Sequence, residues 1–453
     1  MTTWFADFAW LGGEALAPWV VLEDLGDGRL ARVAAGQDPP AGAVHLPGIV
    51  VPGLANAHSH AFHRALRGRA QGGSGDFWSW RDRMYELAAV LDPDGLFELA
   101  KATYAEMAMA GITVAGEFHY LHHRPDGRPY GEPNVMGVAL VAAAAEAGVR
   151  LTLLDTCYLR AGFHDEPALA GAQVRFTDGA AEAWADRVES LAPLVGGCWR
   201  LGAAIHSVRA VDERSMAAVA EWAARHRAPL HLHLSEQPAE NEQALAATGR
   251  TPAELADGAG VLGPRTVAVH ATHLTDGDVK ALGATGTGVC VCPSTERDLA
   301  DGVGPAARLV AAGCPLSLGS DSHAVVDLFE EARLVELHER LTRHGRGAHP
   351  PAALLEAASA GGHRALGWAD DGPAGVLATG APADFVVLDR GSVRLAGMDP
   401  AHGAAAVVFA ASAADVTDVV VGGRAIVRDR VHLRIPDVPG ALQRAIASLW
   451  SRL

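Results

Sequence analysis

Short apolar runs alternate with longer stretches rich in Ala, Leu, Glu and Arg through most of this sequence. The apolar runs have the length of buried strands, and the stretches between them are long enough for helices. The predicted strands lie at residues 49–57, 112–118, 149–154, 201–205, 229–233, 266–269, 288–292 and 315–319. Strands that alternate with helices pair in parallel, and eight such units are typical of a (β/α)8 barrel. We therefore predict the α/β class and a TIM-like barrel.

The two ends of the chain do not follow this rhythm. They contain short β-like pieces separated by Gly and Asp turns. These pieces lie at residues 19–22, 30–33, 384–389, 404–409 and 419–427. We predict a small β-sandwich domain formed by both termini, from residues 1–48 and 376–437, beside a barrel domain over residues 49–375. Residues 438–453 have the pattern of a final amphipathic helix.

Most of the predicted strands lead to a residue that can bind a metal or carry a proton. His58 and His60 follow the first strand and, being two residues apart, share one face of it. The other candidates at strand ends are His206, His233, Glu236, His270 and Asp321. Because reactive groups of such barrels lie at the carboxyl ends of the strands, we expect these side chains to surround one site.

His58, His60, His233 and Asp321 are the predicted metal ligands. Three imidazoles and one carboxylate suit Zn²⁺, with a water completing the shell. Asp321 could instead cap the following helix. His231 shares a face with His233 but should lie one layer deeper, as a packed residue of the barrel. Neither of the two lysines ends a strand to supply a bridging carboxylate, so one divalent ion is expected rather than two.

Two further residues are predicted to move or steer protons. Glu236 lies three residues after His233, where a carboxylate beside the metal can pass a proton to a departing amine. A glutamate is also common in the first turn of a helix, which is the structural alternative. His270 ends the sixth predicted strand and could orient the attacking water.

Composition narrows the class of protein. The formal net charge of −16 argues against nucleic acid as the main partner. No apolar run reaches membrane-spanning length, and the first residues lack the layout of a signal peptide, so we expect no membrane partner and a cytoplasmic location.

The five cysteines, an odd number, fit free thiols in a reducing compartment. Cys290 and Cys292 could form a metal pair, but a buried strand favours packed thiols.

Four short motifs together resemble the mononuclear deaminase branch of the amidohydrolase superfamily. They are Asn-Ala-His-Ser-His at 56–60, His-Leu-Ser-Glu at 233–236, Val-His-Ala-Thr-His at 269–273 and Gly-Ser-Asp-Ser at 319–322. The segment 375–389 is similar to the returning β domain of that superfamily. The resemblance covers essentially the whole chain and implies a metal-dependent hydrolase.

A narrower resemblance is to the N-formimino-L-glutamate deiminases of histidine degradation. It rests on residues 58–64, 77–81, 117–123, 205–209 and 292–302; the last stands where ring deaminases have Cys-Pro-x-Ser-Asn. Three residues after the second metal histidine this chain has His63, where that family often has glutamine. The resemblance also implies a homodimer.

The substrate that this family takes carries two carboxylates, and carboxylates are bound best by arginine forks. Arg81 and Arg209 are the expected forks, with Tyr120 and His206 beside them on the active face. Without the resemblance, Arg81 would read equally well as a surface arginine beside aromatic residues.

The expected reaction is hydrolysis of a C=NH bond to N-formyl-L-glutamate and ammonia. Zinc lowers the pKa of its water to about 7. Asp321 and His270 then take or steer the proton, and Glu236 protonates the leaving nitrogen.

Two alternatives remain open from the sequence. The first is another mononuclear deaminase or chlorohydrolase that acts on a purine, pterin or triazine ring. The second is a catalytically silent barrel that only binds a ligand. Such a protein would not need all six predicted metal-binding and proton-transfer residues, which are His58, His60, His233, Glu236, His270 and Asp321.

Overall fold

The computed structural model describes residues 2–72, 75, 77–163 and 168–453, and that part of the chain forms two eight-stranded sheets. The amino-terminal strands are β1 (Thr2–Ala9), β2 (Ala17–Asp24), β3 (Leu30–Ala34) and β4 (Val44–Pro52). The central strands are β5 (Leu54–Ser59), β6 (Ile112–His119), β7 (Arg150–Cys157), β8 (Trp199–Ile205), β9 (Leu230–Leu234), β10 (Thr266–His270), β11 (Gly288–Val291) and β12 (Leu316–Leu318). The tail adds β13 (Phe385–Leu388), β14 (Val416–Val421), β15 (Arg424–Arg428) and β16 (Val431–His432).

Strands β5 to β12 pair in parallel and in chain order, as the alternating pattern predicts. A parallel bridge between Ser59 and Asp321 brings the segment after β12 beside the end of β5. The predicted (β/α)8 barrel is therefore confirmed, and its nearly closed sheet places the carboxyl ends of all eight strands around one axis.

Helices fill the connections between the strands. They are α1 (Phe77–Val90), α2 (Pro93–Met109), α3 (Val135–Ala147), α4 (Ala181–Glu189), α5 (Glu213–His226), α6 (Pro238–Thr248), α7 (Pro252–Gly258), α8 (Asp276–Thr285), α9 (Pro293–Asp298), α10 (Ala306–Ala311), α11 (Leu328–Arg343), α12 (Pro351–Glu356), α13 (Gly362–Ala365), α14 (Gly403–Ala410) and α15 (Val438–Trp450). Five short 3₁₀ segments lie at Ala61–Leu66, Gly171–Arg175, Ala192–Leu194, Pro400–His402 and Ala413–Asp415, and a π-helical turn lies at Ala357–Gly361.

Several of these helices begin at a polar cap that the local sequence supplies. Asp212 accepts a hydrogen bond from the backbone N–H of Ser215 at the start of α5. Thr251 and Glu254 form a reciprocal capping box at the start of α7. No helix in the described ranges is long and apolar enough to cross a membrane.

The terminal strands form a second, mixed sheet in the order β16-β15-β14-β13-β4-β1-β2-β3. Leu30 in β3 exchanges two backbone hydrogen bonds with the segment before β13, through Ala381 and Gly380. The sheet therefore curls around its own apolar core, in which Trp4 and Phe385 meet edge to face at 5.2 Å. This agrees with the predicted β-sandwich formed by both termini.

The first predicted strand, 49–57, is divided between the two sheets. Its first half belongs to β4, which pairs with β1 and β13, and its second half begins β5 of the barrel. The chain changes sheet at Gly53, where a Cβ would stand 2.3 Å from the hydroxyl oxygen of Thr113. Only glycine lets the two sheets approach so closely at this point.

One predicted β-like piece, 404–409, is wrong. These residues lie in α14, which begins after the 3₁₀ turn at 400–402. Val407 and Val408 are both fully buried, and the four alanines of the helix are strong helix formers. The piece at 419–427 is instead a hairpin, because Gly422 and Gly423 take φ values of 55° and 72°, which suit a tight turn.

The ion pair between Arg150 and Asp384 links the barrel to the terminal sheet and yields a stability prediction. It is bidentate, at 3.0 and 2.9 Å, and its side chains are 16% and 4% exposed. Arg150→Ala should lower the free energy of unfolding by about 3 kcal/mol or more, because the buried carboxylate loses its partner. Urea unfolding measures the loss.

Arg128→Ala is the matched control, since Arg128 pairs with Asp126 at 3.8 Å on the open surface. Its expected effect is below about 1 kcal/mol. Equal unfolding midpoints for the two variants would show that the interdomain pair contributes nothing.

Candidate active site

The four predicted metal ligands converge at the carboxyl end of the barrel. His58 lies in β5, His60 follows it, His233 lies in β9 and Asp321 lies three residues after β12. Asp321 Oδ1 is 3.3 Å from His58 Nε2 and 3.4 Å from His60 Nε2. The Nε2 atoms of His233 and His58 are 3.2 Å apart. The strand-end argument therefore placed these side chains together correctly.

Backbone carbonyls fix the orientation of two of these imidazoles. His60 Nδ1 donates to the carbonyl of Phe118, and His233 Nδ1 donates to the carbonyl of His206, each at 2.9 Å. The proton on Nδ1 leaves the Nε2 lone pair free and aimed into the cluster. Burial, reinforced by the neighbouring histidines, holds the pKa of both rings well below its usual value, so both are neutral. Neutral imidazoles facing a carboxylate fit a divalent metal ion.

Asp321 supplies the negative charge of the cluster. Its burial opposes ionisation, but contacts with His58, His270 and His60 outweigh it and hold the pKa of Asp321 well below its usual range. Its backbone is strained, with φ at 41°. Positive φ also occurs at other residues around the site: Ser235, His270, Ala271 and His323. Strain concentrated at strand ends in this way is typical of functional sites.

A buried carboxylate supports the turn at His58 and His60. Glu117 accepts hydrogen bonds from Ser59 Oγ at 3.2 Å and from the backbone N–H of Ala61 at 2.8 Å. Burial raises the pKa of Glu117 to about 7. On the other side, Asn56 bonds twice to Ser320, at 2.7 and 2.9 Å, and so ties β5 to the segment that carries Asp321.

Glu236 and His270 lie as a pair next to the four predicted metal ligands. Glu236 Oε1 is 3.7 Å from His270 Nε2, which is also 3.8 Å from Asp321 Oδ2. Burial raises the pKa of Glu236 to about 7, although His270 draws it down. Burial opposes a charge on His270, yet Glu236, Glu296 and Asp321 raise its pKa well above the usual value. The site thus holds a carboxyl that can exchange a proton near neutral pH beside a protonated imidazole.

Glu296 also contacts the site, although the sequence pattern did not indicate it. Its Oε1 lies 3.4 Å from His270 Nδ1 and accepts a hydrogen bond from the backbone N–H of Cys292 at 2.8 Å. The only signal in the sequence was its place in the first turn of α9, directly after the seventh barrel strand.

The four predicted substrate residues line one pocket together with His60, His233 and Asp321. Arg81 comes from α1, Tyr120 follows β6, and His206 and Arg209 follow β8. The Tyr120 hydroxyl is 2.9 Å from His63 Nε2, so His63 also reaches the pocket wall. Aromatic side chains form much of the remaining wall: Phe77, Trp80, Tyr85, Tyr158 and Phe176.

The two arginines of the pocket carry free charge. The Nε atoms of Arg81 and Arg209 are buried and have no hydrogen-bond partner among the described residues. Within the same ranges each guanidinium lies beside an aromatic ring, and neither forms an ion pair with a carboxylate. The pocket therefore has a cationic end beside its cluster of histidines and carboxylates.

A second cluster, of His119, His122 and Asp155, also has donor atoms within 4.8 Å of one another. Both oxygens of Asp155 already accept hydrogen bonds from Arg187, at 3.0 and 2.8 Å. A guanidinium there repels a cation, so this cluster is a structural network rather than a metal site.

Comparison with known proteins agrees with this geometry. The model of the amidohydrolase family matches residues 49–426. The formimidoylglutamate deiminase of Pseudomonas aeruginosa is 40% identical over 447 residues, which cover 95% of this chain and 96% of that protein. The narrower resemblance found in the sequence is thereby confirmed.

Solved structures share the architecture over the full chain. An amidohydrolase from Brucella melitensis superposes with a TM-score of 0.89 at 33% identity, covering 99% of this chain and all of that one. An adenosine deaminase from Xanthomonas campestris, with bound zinc, has a TM-score of 0.84 at 22% identity, covering 100% of this chain and 98% of that one; its likeness shows the fold alone. On the family match and the 40% identical relative, the chain belongs to the amidohydrolase family and is a hydrolase that acts on a carbon–nitrogen bond.

Proposed function

We propose that this protein hydrolyses N-formimino-L-glutamate to N-formyl-L-glutamate and ammonia, as a step of histidine degradation. The observation that carries the proposal is the pair of guanidiniums, Arg81 and Arg209, without ion-pair partners among the described residues, in the pocket that ends at the histidine cluster. Two free cations suit a substrate with two carboxylates. The 40% identical relative is a formimidoylglutamate deiminase, which supports this choice of substrate.

We further propose one zinc ion as the cofactor. His58, His60, His233 and Asp321 would hold it, since their facing donor atoms fit a divalent ion. When bound, zinc activates a water and polarises the bond to be attacked. The five free cysteines, all but Cys198 buried, fit the cytoplasmic location that the sequence favours.

The side chains around the cluster divide the proton transfers among them. Asp321, kept ionised, would accept the proton that the attacking water loses. The surrounding carboxylates hold His270 as a cation, so it is not that base. Its Nε2 faces Glu236 Oε1 at 3.7 Å and Asp321 Oδ2 at 3.8 Å, and its charge attracts both carboxylates. Glu236, with its pKa raised to about 7, would deliver a proton to the leaving nitrogen. The C=N bond breaks, a C=O bond forms from water, and the nitrogen leaves as ammonia.

A ring deaminase is the second candidate function. The aromatic wall of the pocket would stack a flat purine or triazine, which is the observation in its favour. A neutral ring would leave the two guanidiniums without an anion, however, and that disfavours this alternative.

The metal assignment is tested by elemental analysis. Wild type should contain one divalent ion per chain, and the His58→Ala/His60→Ala double variant should lose it, because two of four donors are gone. His231→Gln is the control and should keep its ion, since His231 Nε2 is 3.0 Å from the carbonyl of Ala365. Two ions per wild-type chain, or full occupancy in the double variant, would contradict the assignment.

Glu236→Gln tests the proton transfer. The amide keeps the shape of the side chain but cannot shuttle a proton, so kcat should fall by about 10²–10⁴-fold with metal retained. Glu242→Gln, at an exposed position in the following helix α6, should leave kcat unchanged. If kcat of Glu236→Gln lies within about threefold of wild type, another residue protonates the leaving nitrogen.

The substrate is tested by ammonia release from formiminoglutamate, guanine, adenosine and cytosine. Wild type should turn over formiminoglutamate best. Arg81→Ala and Arg209→Ala should each lose at least about tenfold in kcat/KM, since each leaves a substrate carboxylate unpaired.

A formimino analogue without the side-chain carboxylate provides the control for that experiment. It should be a poor substrate of wild type. Removing the arginine that binds the missing carboxylate should lower kcat/KM for this analogue little further. Normal turnover of formiminoglutamate by both variants, or faster turnover of a purine by wild type, would move the assignment to the ring deaminases.

A further inference from the structure

One face of helix α1 carries an aromatic–cation–aromatic row. Trp78, Arg81 and Tyr85 are spaced three and four residues apart, which places them on the same side of a helix. The Arg81 guanidinium carbon lies 4.5 Å from the centre of the Trp78 ring and 5.3 Å from that of Tyr85. Both distances fall within the range of about 6 Å in which a ring attracts a cation.

The same indole also reaches the second arginine of the pocket. The guanidinium carbon of Arg209 lies 5.8 Å from the centre of the Trp78 ring. Arg209 comes from the loop after β8, a separate part of the barrel from α1. Trp78 therefore contacts both cations, and it is not among the residues that line the pocket.

An aromatic partner has a consequence that a carboxylate would not have. Two guanidiniums brought together repel each other, and a carboxylate between them would offset the repulsion by neutralising them. The face of an indole attracts a cation through its quadrupole and carries no net charge. Both arginines are thus held in place with their full charge and their fork N–H groups left for a ligand.

We propose that Trp78 is the positioning residue that holds Arg81 and Arg209 as a pair for a dicarboxylate ligand. The inference rests on the proposed function for the class of that ligand. Trp78 acts through the two arginines and does not touch the reacting atoms. Its loss should therefore weaken ligand binding while leaving the chemical step unchanged.

The test measures binding of glutarate, a dicarboxylate without a formimino group, to the metal-loaded protein by calorimetry. Trp78→Leu should raise the Kd about tenfold, and Trp78→Phe, which keeps a ring face, should stay within about threefold of wild type. Trp450→Leu is the matched control: Trp450 contacts Arg69 at 4.7 Å and is not part of the pocket wall. Its Kd should equal that of wild type. Trp78→Met replaces the leucine variant if that one does not fold.

Kinetics and a double-mutant cycle separate positioning from general packing. For formiminoglutamate, Trp78→Leu should raise KM about tenfold and keep kcat within about threefold. In an Arg209→Ala background, the effect of Trp78→Leu on glutarate binding should shrink, because one of the cations that the ring holds is gone.

The two proposals fail in different ways. If Trp78→Leu weakens glutarate binding but wild type does not hydrolyse formiminoglutamate, the positioning role stands and the proposed function falls. The positioning role is overturned if wild type does not bind glutarate or if Trp78→Leu binds it like wild type. It is also overturned if the Kd for glutarate rises equally in the leucine and phenylalanine variants. An undiminished effect of Trp78→Leu in the Arg209→Ala background also overturns it.

Discussion

Ionisable side chains held out of water at one end of the barrel are the constraint on which the rest of this structure depends. A buried charge is costly unless a partner offsets it, so each group sets the state of its neighbours. Asp321 stays ionised because His58, His60 and His270 face it. His270 becomes a cation because carboxylates surround it. Removing one member of such a set leaves its partners in the wrong protonation state, and this interdependence makes the cluster behave as a unit.

The barrel accommodates this cluster through features that would be unfavourable elsewhere. Asp321 and His270 take positive φ, which costs free energy for residues with a Cβ. Glu117 is buried without a cationic partner among the described residues. Two hydrogen bonds from the turn that orients His60 partly offset the cost of its burial. The surrounding parallel sheet is rigid enough to impose these conformations, since every barrel strand is paired on both sides or closed by the Ser59–Asp321 bridge.

Much of this arrangement could be predicted from the sequence, because it follows from local rules. Alternating strands and helices determine a parallel barrel, and a parallel barrel gathers the residues at its strand ends. The missed features depend on tertiary contacts. The division of the first strand at Gly53 depends on how closely Thr113 approaches, and the helix at 403–410 depends on what its buried valines pack against. Glu296 and Trp78 were missed because neither ends a strand: each acts through another side chain, His270 or the arginines.

The pocket thus has two ends with different physical tasks. One end holds histidine and carboxylate groups that could bind a metal and that are proposed to move protons, and the other holds two cations that lack ion-pair partners among the described residues. A crystal structure of the metal-loaded Glu236→Gln variant with formiminoglutamate tests this division most directly. The account predicts one substrate carboxylate against Arg81, the other against Arg209, and the formimino carbon beside Asp321 and residue 236. Carboxylates bound away from both arginines, or a formimino group pointing out of the barrel, would contradict it.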